Sequence, residues 1–485
     1  MSTPASDRER HIVETVRAFD QRLGLTEASR PFADLVANEQ RHIDGHLVLD
    51  DFSDIPFLDN IVGVEHYQLR AWLRCDTGDA CMATCPSFES YEAYNREQLQ
   101  LGSPTFIAIE PGGQLPVAVS LAAMEDENFQ KLTAFVERTG NVRLAPYMSI
   151  GDTWVLARKL SSATGAPIDV VGPPPPVTAF ANDKAHLTSF ANALAQPVFG
   201  RDAMVPTRIA NQLDRIAEDL IELFQVSPEV ALKMPRCASA MGNYILREGV
   251  VEALEQQDVN AVKRVVSSVL EEKQWNGQED VLSVAWLDTD CSPSTQCWIP
   301  PLGGGEPTVD GVYEQLLVGP EKVFLGAVPA NLPQEHIDWM TELSLLIVRG
   351  YQKLGYVGRC SFDFIVHEGT PYLVECNGRW GGTSIPMQLV DRLFGNPRPA
   401  YRARDYISES LVGMDFSELQ RRLGDSLYDR RTGRGRFIVY NVGCLKPFGK
   451  FDVIALGDTV ESASVALETD LPRLLGEEPG QGSHG

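Results

Sequence analysis

The chain has 485 residues, 44% of them hydrophobic and 22% charged, which is the composition of a soluble globular protein with about two to four domains. Its 42 Lys and Arg face 66 Asp and Glu, and the formal net charge of −24 opposes binding to nucleic acid or to an anionic membrane. No apolar run approaches the roughly 18 residues of a membrane span, the N-terminus lacks a signal-peptide core, and nine cysteines are too few for a disulfide framework. We therefore expect a cytoplasmic protein that binds neither membranes nor nucleic acid.

The first 180 residues contain two predicted units. Residues 1–45 are polar and amphipathic, and they predict a helical extension packed on the domain after it. In residues 46–180, strand patterns such as VRLAPYMSI alternate with helix patterns, the clearest of which begins near Asp152 and ends at Gly165. This alternation predicts a small parallel, Rossmann-like α/β sheet, and the four prolines at 173–176 mark its end.

The later elements divide into four predicted segments. In the first, 181–288, Asn182 and Asp183 can cap a helix that is followed by the strand patterns EVALKM and VLSVAWLD. The second, 289–405, contains the strand patterns QCWIP and YEQLLVG and a helix from about Gln334 to Leu354. A helix and the strand patterns FIVYNVG and KFDVIAL form 406–475, and the polar tail 476–485 is predicted to be disordered.

The stretch CSFDFIVHEGTPYLVECNGRWGG, residues 360–382, predicts a hairpin that turns at Gly369. If the strands pair symmetrically about this glycine, Asp363 lies opposite Glu375, and Asn377 shares their face because side chains alternate. Two opposed carboxylates about 4.5–5.5 Å apart repel each other. A hard divalent cation such as Mg²⁺ between them would relieve that repulsion, although acidic residues in a strand facing solvent are an equally weighted alternative.

This hairpin resembles the metal-binding hairpin of the ATP-grasp ligases, in which an acid is followed after about a dozen residues by Glu-x-Asn and then by arginine. The resemblance covers about residues 181–400 and implies an α/β (α+β) protein with an ATP-grasp fold, preceded here by a small Rossmann-like domain. It implies that Asp363, Glu375 and Asn377 bind two Mg²⁺ ions, with Mn²⁺ as a substitute, and that Arg379 steadies the activated substrate. VGPPPP, SPSTQ and GVYEQLL further resemble the pre-ATP-grasp peptide ligases of the pheganomycin peptide ligase type, which act in antibiotic biosynthesis.

The same resemblance implies positions for ATP. Lys184 and Lys233 would hold its phosphates, because lysine is a compact positive charge, and a lid loop containing Ser239 and Gly242 would close over them. The strand from Val284 through Ala285 and Trp286 to Leu287 would hydrogen-bond adenine through its backbone. Asp288 would face the ribose, with an acid at the surface as an equally weighted alternative, and Gln315 or Glu314 would line the same cleft.

The sequence departs from the family pattern at one position. Many ATP-grasp ligases have arginine two residues before the first acid, where this chain has Ser361. The positive charge beside the reacting acyl group is therefore left open among Arg379, Arg236 and Arg359.

The resemblance implies an ATP-dependent ligase that activates a small-molecule carboxylate as an acyl phosphate and couples it to an amine, either an amino acid or a peptide, with release of ADP and phosphate. A homodimer is the oligomeric state that we consider for this chain. Two alternatives remain: other ATP-grasp chemistry, as in a carboxylate–thiol ligase or a carboxylase, and a non-catalytic ATP-binding module. The cysteines at 75, 81 and 85 lack zinc-ligand spacing, and PLGGGEP lacks the lysine of a P-loop, so neither motif predicts a site.

Overall fold

The computed structural model describes residues 5–55, 63–236, 242–247, 249–318 and 323–479. The chain begins with helices α1 (Ala5–Leu23) and α2 (Leu25–Ser29). Through Ile12, Val16 and Phe19, α1 packs into the core of the largest sheet, and the Phe19 ring lies 5.1 Å from that of Phe190. The predicted extension therefore packs mainly on a distant part of the chain rather than on the domain next to it in sequence.

A five-stranded parallel sheet in the order β3-β2-β1-β4-β5 forms the first domain. Strands are added on both sides of β1, so the winding reverses there, and ligands of such sheets bind at the carboxyl ends beside the reversal. The elements are β1 (Gly45–Leu49), a 3₁₀ segment (Val64–Arg74), β2 (Ala80–Ala83), α3 (Glu89–Ala93), β3 (Thr105–Ala108), α4 (Val119–Ala122), α5 (Asp126–Thr139), β4 (Val142–Pro146), α6 (Gly151–Thr164) and β5 (Ile168–Val170).

Two helices lead from this domain to a small antiparallel sheet in the order β6-β9-β7-β8. One face of the sheet is covered by α9 and α11, whose apolar residues form a separate core with it. The elements are α7 (Pro175–Asn182), α8 (Lys184–Phe199), β6 (Thr207–Ala210), α9 (Leu213–Phe224), β7 (Val230–Lys233), β8 (Asn243–Leu246), α10 (Val251–Glu255), α11 (Val259–Glu272) and β9 (Val281–Ala285).

An eight-stranded antiparallel sheet in the order β14-β13-β10-β11-β12-β15-β17-β16 completes the fold. Its elements are β10 (Pro293–Ile299), β11 (Thr308–Val318), β12 (Val323–Pro329), α12 (Gln334–Lys353), β13 (Gly358–His367), β14 (Thr370–Asn377), α13 (Ser384–Phe394), β15 (Ala400–Ile407), α14 (Phe416–Leu423), β16 (Phe437–Asn441), α15 (Leu445–Phe448), β17 (Lys450–Gly457), α16 (Val460–Val465) and α17 (Leu471–Leu475). None of the helices in the described ranges is long and apolar enough to cross a membrane.

The packing departs from the predicted segments at two places. Helix α8, assigned to segment 181–288, packs with α1 and α12 on the largest sheet, and Asp183 rather than Asn182 accepts the hydrogen bonds of its first turn. The strands of segment 406–475 are β16 and β17, which join that same sheet beside β15. Of the tail 476–485, residues 480–485 lie outside the described residues.

Candidate functional site

The hairpin of β13 and β14 brings the three predicted metal ligands together. Asp363 is paired with Glu375 and Ser361 with Asn377, as the symmetric pairing predicts, and a bulge follows Asp363. The Asn377 side-chain amide donates to an Asp363 carboxylate oxygen at 2.9 Å. Positive φ at Glu368 (47°) and Gly369 (69°) closes the tight turn between the strands. The alternation of side chains therefore places two carboxylates and one carboxamide side by side.

The two carboxylates respond to this crowding in opposite directions. Burial, followed by the charge of Glu375, raises the pKa of Asp363 to about 8. Burial also acts to raise the pKa of Glu375, but the charges of Lys184, Lys233 and Arg379 outweigh it, and the pKa of Glu375 is lowered. Glu375 thus holds the negative charge of the pair, whereas the charge of Asp363 is poorly compensated.

Lys184 reaches the hairpin from the first turn of α8. Asp183 caps this helix by accepting from the backbone N–H groups of Ala185 and His186. The Lys184 ammonium lies 3.0 Å from Glu375, and its side chain is only 7% exposed. Its backbone N–H donates to the carbonyl of Pro235 at 2.8 Å, which joins the helix start to the chain leaving β7.

Lys233 ends β7 and is buried, with its ammonium 5.4 Å from the centre of the Trp286 ring. Gly242 closes the base of the predicted lid loop, because its carbonyl accepts from the Met234 N–H at 2.9 Å. Ser239, on the loop between them, lies outside the described residues. Lys233 is therefore close enough to Glu375 to act on it through its charge.

The three candidate arginines have different surroundings. Arg379 and Arg236 both line the cavity described below. Arg236 is paired with Glu279, another lining residue. Arg359 instead pairs with Asp310, and its guanidinium lies 5.4 and 5.5 Å from the rings of Trp298 and Trp380. Arg359 is not among the described residues that line the cavity. The geometry therefore favours Arg379 and Arg236 as candidates for the positive charge beside the reacting acyl group.

Much of the backbone predicted to bind adenine is already hydrogen-bonded. Val284 lies within the small sheet between β6 and β7. The N–H groups of Ala285 and Trp286 donate to the carbonyls of Pro206 and Glu229, each at 2.9 Å. Leu287, beyond the end of β9, is the better remaining candidate for an adenine contact.

The predicted ribose and cleft residues lie away from the cavity lining. Asp288 is exposed, and its carbonyl lies 2.7 Å from a ring nitrogen of His367. The Gln315 N–H donates to the carbonyl of Ser292 at 3.1 Å. Within the described part of the chain neither residue lines the cavity.

A cavity of about 430 Å³ lies between the hairpin and the carboxyl edge of the parallel sheet. Five predicted residues line it: Lys184, Arg236, Glu375, Asn377 and Arg379. The opposite wall is formed by residues that follow β1 and β4: Asp54, Ile55, Met148, Ser149, Ile150 and Gly151. The sequence predicted the strand β4 but did not indicate that the residues after it line a cavity. Asn182, two residues before the predicted lysine, was recognised only as a helix cap.

The oxygen donors of this site suit a hard cation. The described residues contain no group of three or more His, Cys, Asp or Glu placed to hold a metal ion. Asp363, Glu375 and Asn377 instead offer two carboxylates and one amide, a set suited to Mg²⁺ when phosphate oxygens complete the coordination. The charge of Glu375 helps to raise the pKa of Asp363, and a bound cation would relieve this repulsion. The residues present therefore fit magnesium.

No protein-family model matches the chain, and no curated protein matches it by sequence. Solved structures do match. Rhizobium etli pyruvate carboxylase superimposes with a TM-score of 0.53 at 11% identity, over 89% of this chain and 37% of that one.

Two further structures match over most of both chains. A biotin carboxylase complex from Campylobacter jejuni, with β-γ-ATP, gives a TM-score of 0.51 at 12% identity, over 88% of this chain and 90% of that one. The biotin carboxylase domain of Hydrogenobacter thermophilus 2-oxoglutarate carboxylase, with MgADP, gives 0.50 at 12% identity, over 91% and 97%. At these identities the likeness establishes architecture: the chain has the ATP-grasp fold, preceded by a small Rossmann-like α/β domain.

Proposed function

We propose that the protein is an ATP-dependent carboxylate–amine ligase. The observation that carries the proposal is the convergence of Lys184, Glu375, Asn377 and Arg379 on one cavity, whose far wall is the carboxyl edge of a parallel sheet. Cations and carboxylates that meet beside a cleft are suited to binding a metal nucleotide and a second substrate together.

The phosphates would be held by the two lysines. Lys184 and Lys233 each bring a charge to the neighbourhood of Glu375, and both side chains are buried, where a charge acts strongly on phosphate oxygens. Asp363, Glu375 and Asn377 would bind magnesium, which when bound neutralises the negative charge of the phosphates during transfer. Lys184 would exchange part of its pairing with Glu375 for the phosphate.

The reaction has two steps. A carboxylate oxygen of the first substrate attacks the γ-phosphorus, the bond from that phosphorus to the bridging oxygen breaks, and ADP leaves. The amine nitrogen of the second substrate then attacks the acyl carbon and loses its proton, and the carbon–oxygen bond to phosphate breaks. Arg379 would stabilise the oxyanion formed in this second step, a role whose loss typically lowers the rate about 10²–10³-fold.

Excluding water is the other requirement, because an acyl phosphate hydrolyses. The cavity of about 430 Å³ has the size of a small-molecule site, and such sites bury most of the surface of their ligands. An amino-acid-like carboxylate and an amino acid or peptide amine are the substrates we favour.

The proposal can be tested by a screen for ADP release. Protein and Mg-ATP are incubated with a panel of amino acids, other carboxylates and bicarbonate, each combined with hydroxylamine, amino acids, dipeptides or a thiol, and products are weighed by mass spectrometry. We expect ADP to appear with at least one carboxylate–amine pair, together with the mass of the amide. Products with thiols only would indicate a thiol ligase, and ADP release with bicarbonate only would indicate a carboxylase. Tight binding of Mg-ATP with no ADP release for any pair would indicate a non-catalytic module.

A further inference from the structure

We infer that Asn182 is a positioning residue, which holds the Arg379 guanidinium at the cavity. The Asn182 side-chain oxygen accepts two hydrogen bonds, one from an Arg379 guanidinium nitrogen at 3.1 Å and one from the Gly378 N–H at 2.9 Å. Both donors belong to the turn that leaves β14 directly after Asn377. One carboxamide therefore fixes the end of the hairpin and the arginine beside it.

The orientation of this carboxamide is set from its other side. The Asn182 amide nitrogen donates to the Thr178 carbonyl, four residues earlier in α7, at 2.9 Å. Because that contact requires a donor, the oxygen must face Gly378 and Arg379. Asparagine meets both demands at once, whereas aspartate keeps the acceptor and loses the donor, and alanine loses both.

Gly378 supplies independent evidence that the contact is built into the site. A Cβ on Gly378 would lie 2.7 Å from the Asn182 amide nitrogen and 3.2 Å from the Cβ of Ala181. An added Cβ would therefore displace the Asn182 carboxamide and crowd the Cβ of Ala181. The close approach of Asn182 to this backbone therefore depends on glycine at 378.

The contact of Asn182 with Arg379 is important because of the residues that follow Asn182 in the chain. Asn182 holds Arg379 and Lys184 pairs with Glu375, and both residues line the cavity on either side of Asp183, which caps α8. This inference rests on the proposed function only for the role of Arg379 in turnover. An arginine held at one end by a neutral oxygen keeps its full charge and its remaining N–H donors for a ligand.

The test uses the whole chain and compares Asn182→Ala, Asn182→Asp, Gly378→Ala and Arg379→Ala with Asn192→Ala. Asn192 is the matched control, because its side chain also accepts two backbone N–H bonds, from Ala203 and Met204, but does not line the cavity. Turnover is followed as ADP release with the carboxylate and hydroxylamine pair that the wild type uses best. Thermal unfolding is recorded for every variant.

We expect Asn182→Ala to lower kcat about 10–100-fold with little change in the KM for ATP, since a misplaced transition-state contact costs rate rather than nucleotide binding. Gly378→Ala should do the same, Asn182→Asp should lie between, and Asn192→Ala should affect unfolding only. In the Arg379→Ala background Asn182→Ala should lower kcat less than about twofold further. Equal kcat for Asn182→Ala and Asn192→Ala, or losses that multiply fully in the double variant, would overturn the inference.

A second readout needs no turnover and so separates this inference from the proposed function. In protein labelled with ¹⁵N-arginine, the side-chain Nε–H signal that disappears in Arg379→Lys belongs to Arg379. We expect Asn182→Ala to shift or broaden that signal and Asn192→Ala to leave it in place. An unmoved signal in Asn182→Ala would refute the positioning role even if the protein proves to be a ligase, and a moved signal would support it even if no ADP is released.

Discussion

The two carboxylates of the hairpin, Asp363 and Glu375, lie in different electrostatic surroundings. Three cations act on Glu375, and its pKa falls despite burial. Asp363 faces Glu375 across the ladder and is paired by an amide rather than by a cation, and its pKa rises to about 8. The difference arises from neighbours on other elements, since the two side chains themselves are nearly alike. Asp363 therefore has too little positive charge around it to stabilise its ionised form, and a cation bound there would supply that charge.

Glu375→Gln should abolish ADP release while the fold persists. The change removes a negative charge from the proposed metal site, so we expect turnover to fall by at least about 10³-fold. Repulsion with Asp363 is relieved and the pairing with Lys184 is weakened, and these effects on stability oppose each other. Glu368→Gln, at the exposed turn of the same hairpin, is the matched control and should turn over normally. Near-normal turnover of Glu375→Gln would remove Glu375 from the metal site.

Lys233→Ala should weaken the binding of Mg-ATP about 10–100-fold, because a charge-assisted contact is worth roughly 1.5–3 kcal/mol. Titration calorimetry with a non-hydrolysable ATP analogue measures this directly. Lys263→Ala is the control, since Lys263 lies on the same small domain and pairs with Asp214 at the surface. If both variants bind the analogue like the wild type, Lys233 does not contact phosphate.

At this scale the sequence predicted what depends on local geometry. The pairing of Asp363 with Glu375 was predicted from symmetry about Gly369, and the structure has it. The turn itself lies at Glu368 and Gly369, and a bulge after Asp363 restores the predicted partner, which the sequence pattern did not indicate. The surroundings of Arg359 depend on Asp310, 49 residues away, and those of Trp286 on the backbone of Glu229. Such partners are set by tertiary packing, which a pattern along one strand does not contain.

At the scale of elements, the N-terminus of α8 links Lys184, the lysine proposed to hold phosphate, to the hairpin. Asp183 accepts two N–H bonds there, and an Asp-to-Ala change at a cap typically costs about 1 kcal/mol. Lys184 follows directly, so fraying of this turn would also move its ammonium away from Glu375.

Asp183→Ala should therefore reduce both stability and affinity for Mg-ATP. Asp258→Ala offers a matched comparison, because Asp258 caps α11 by accepting from Ala261 and lies in the small domain away from the cavity. We expect comparable losses of about 1 kcal/mol in the free energy of unfolding, measured by denaturant titration. Only Asp183→Ala should weaken nucleotide binding, and equal affinities of the two variants would show that the cap does not act on Lys184.

Helix α6 was predicted closely, whereas the amphipathic helices α9 and α11 and several strands were missed. Helix α6 runs from Gly151 to Thr164 where the sequence predicts 152–165, since a C-terminal glycine and an apolar stripe mark it. The strands that were not predicted are β2, β6, β8, β12 and β15. β2 is only four residues long and wholly buried, so it shows no alternation. The predicted strand near 313–319 is the C-terminal part of β11, which begins at Thr308.

At the scale of the whole molecule, the parallel domain contacts both ends of the largest sheet through charged and aromatic side chains. Arg74, on the 3₁₀ segment, pairs with Asp50 and lies 5.0 Å from the ring of Trp380, which follows β14. Lys450, on β17, pairs with Asp405 and donates to the hydroxyl of Tyr67. The C-terminal strands therefore help to fix the domain that forms the second wall of the cavity, which no local sequence pattern indicates.

Asp452, buried at this junction, should make stability depend on pH. Burial, followed by the charge of Asp405, raises its pKa to about 7, although Lys450 and Arg70 act in the opposite direction. An aspartate in an unfolded chain titrates near 3.9, so the folded state binds this proton more tightly. Its stabilising contribution is complete below about pH 4 and is lost as pH rises towards about 7.

Asp452→Asn removes this titration and keeps the oxygen that accepts from the Asn441 amide at 3.0 Å. The variant should match the wild type near pH 4 and become more stable than it by up to about 4 kcal/mol at pH 8, since each pKa unit corresponds to about 1.4 kcal/mol. Denaturant titrations from pH 4 to 8 measure the difference, with Asp425→Asn at an exposed position as control. If the free energies of unfolding of wild type and Asp452→Asn change with pH in parallel, Asp452 stays charged in the folded protein. The effect of Lys450 and Arg70 on its pKa would then outweigh the effects of burial and of Asp405.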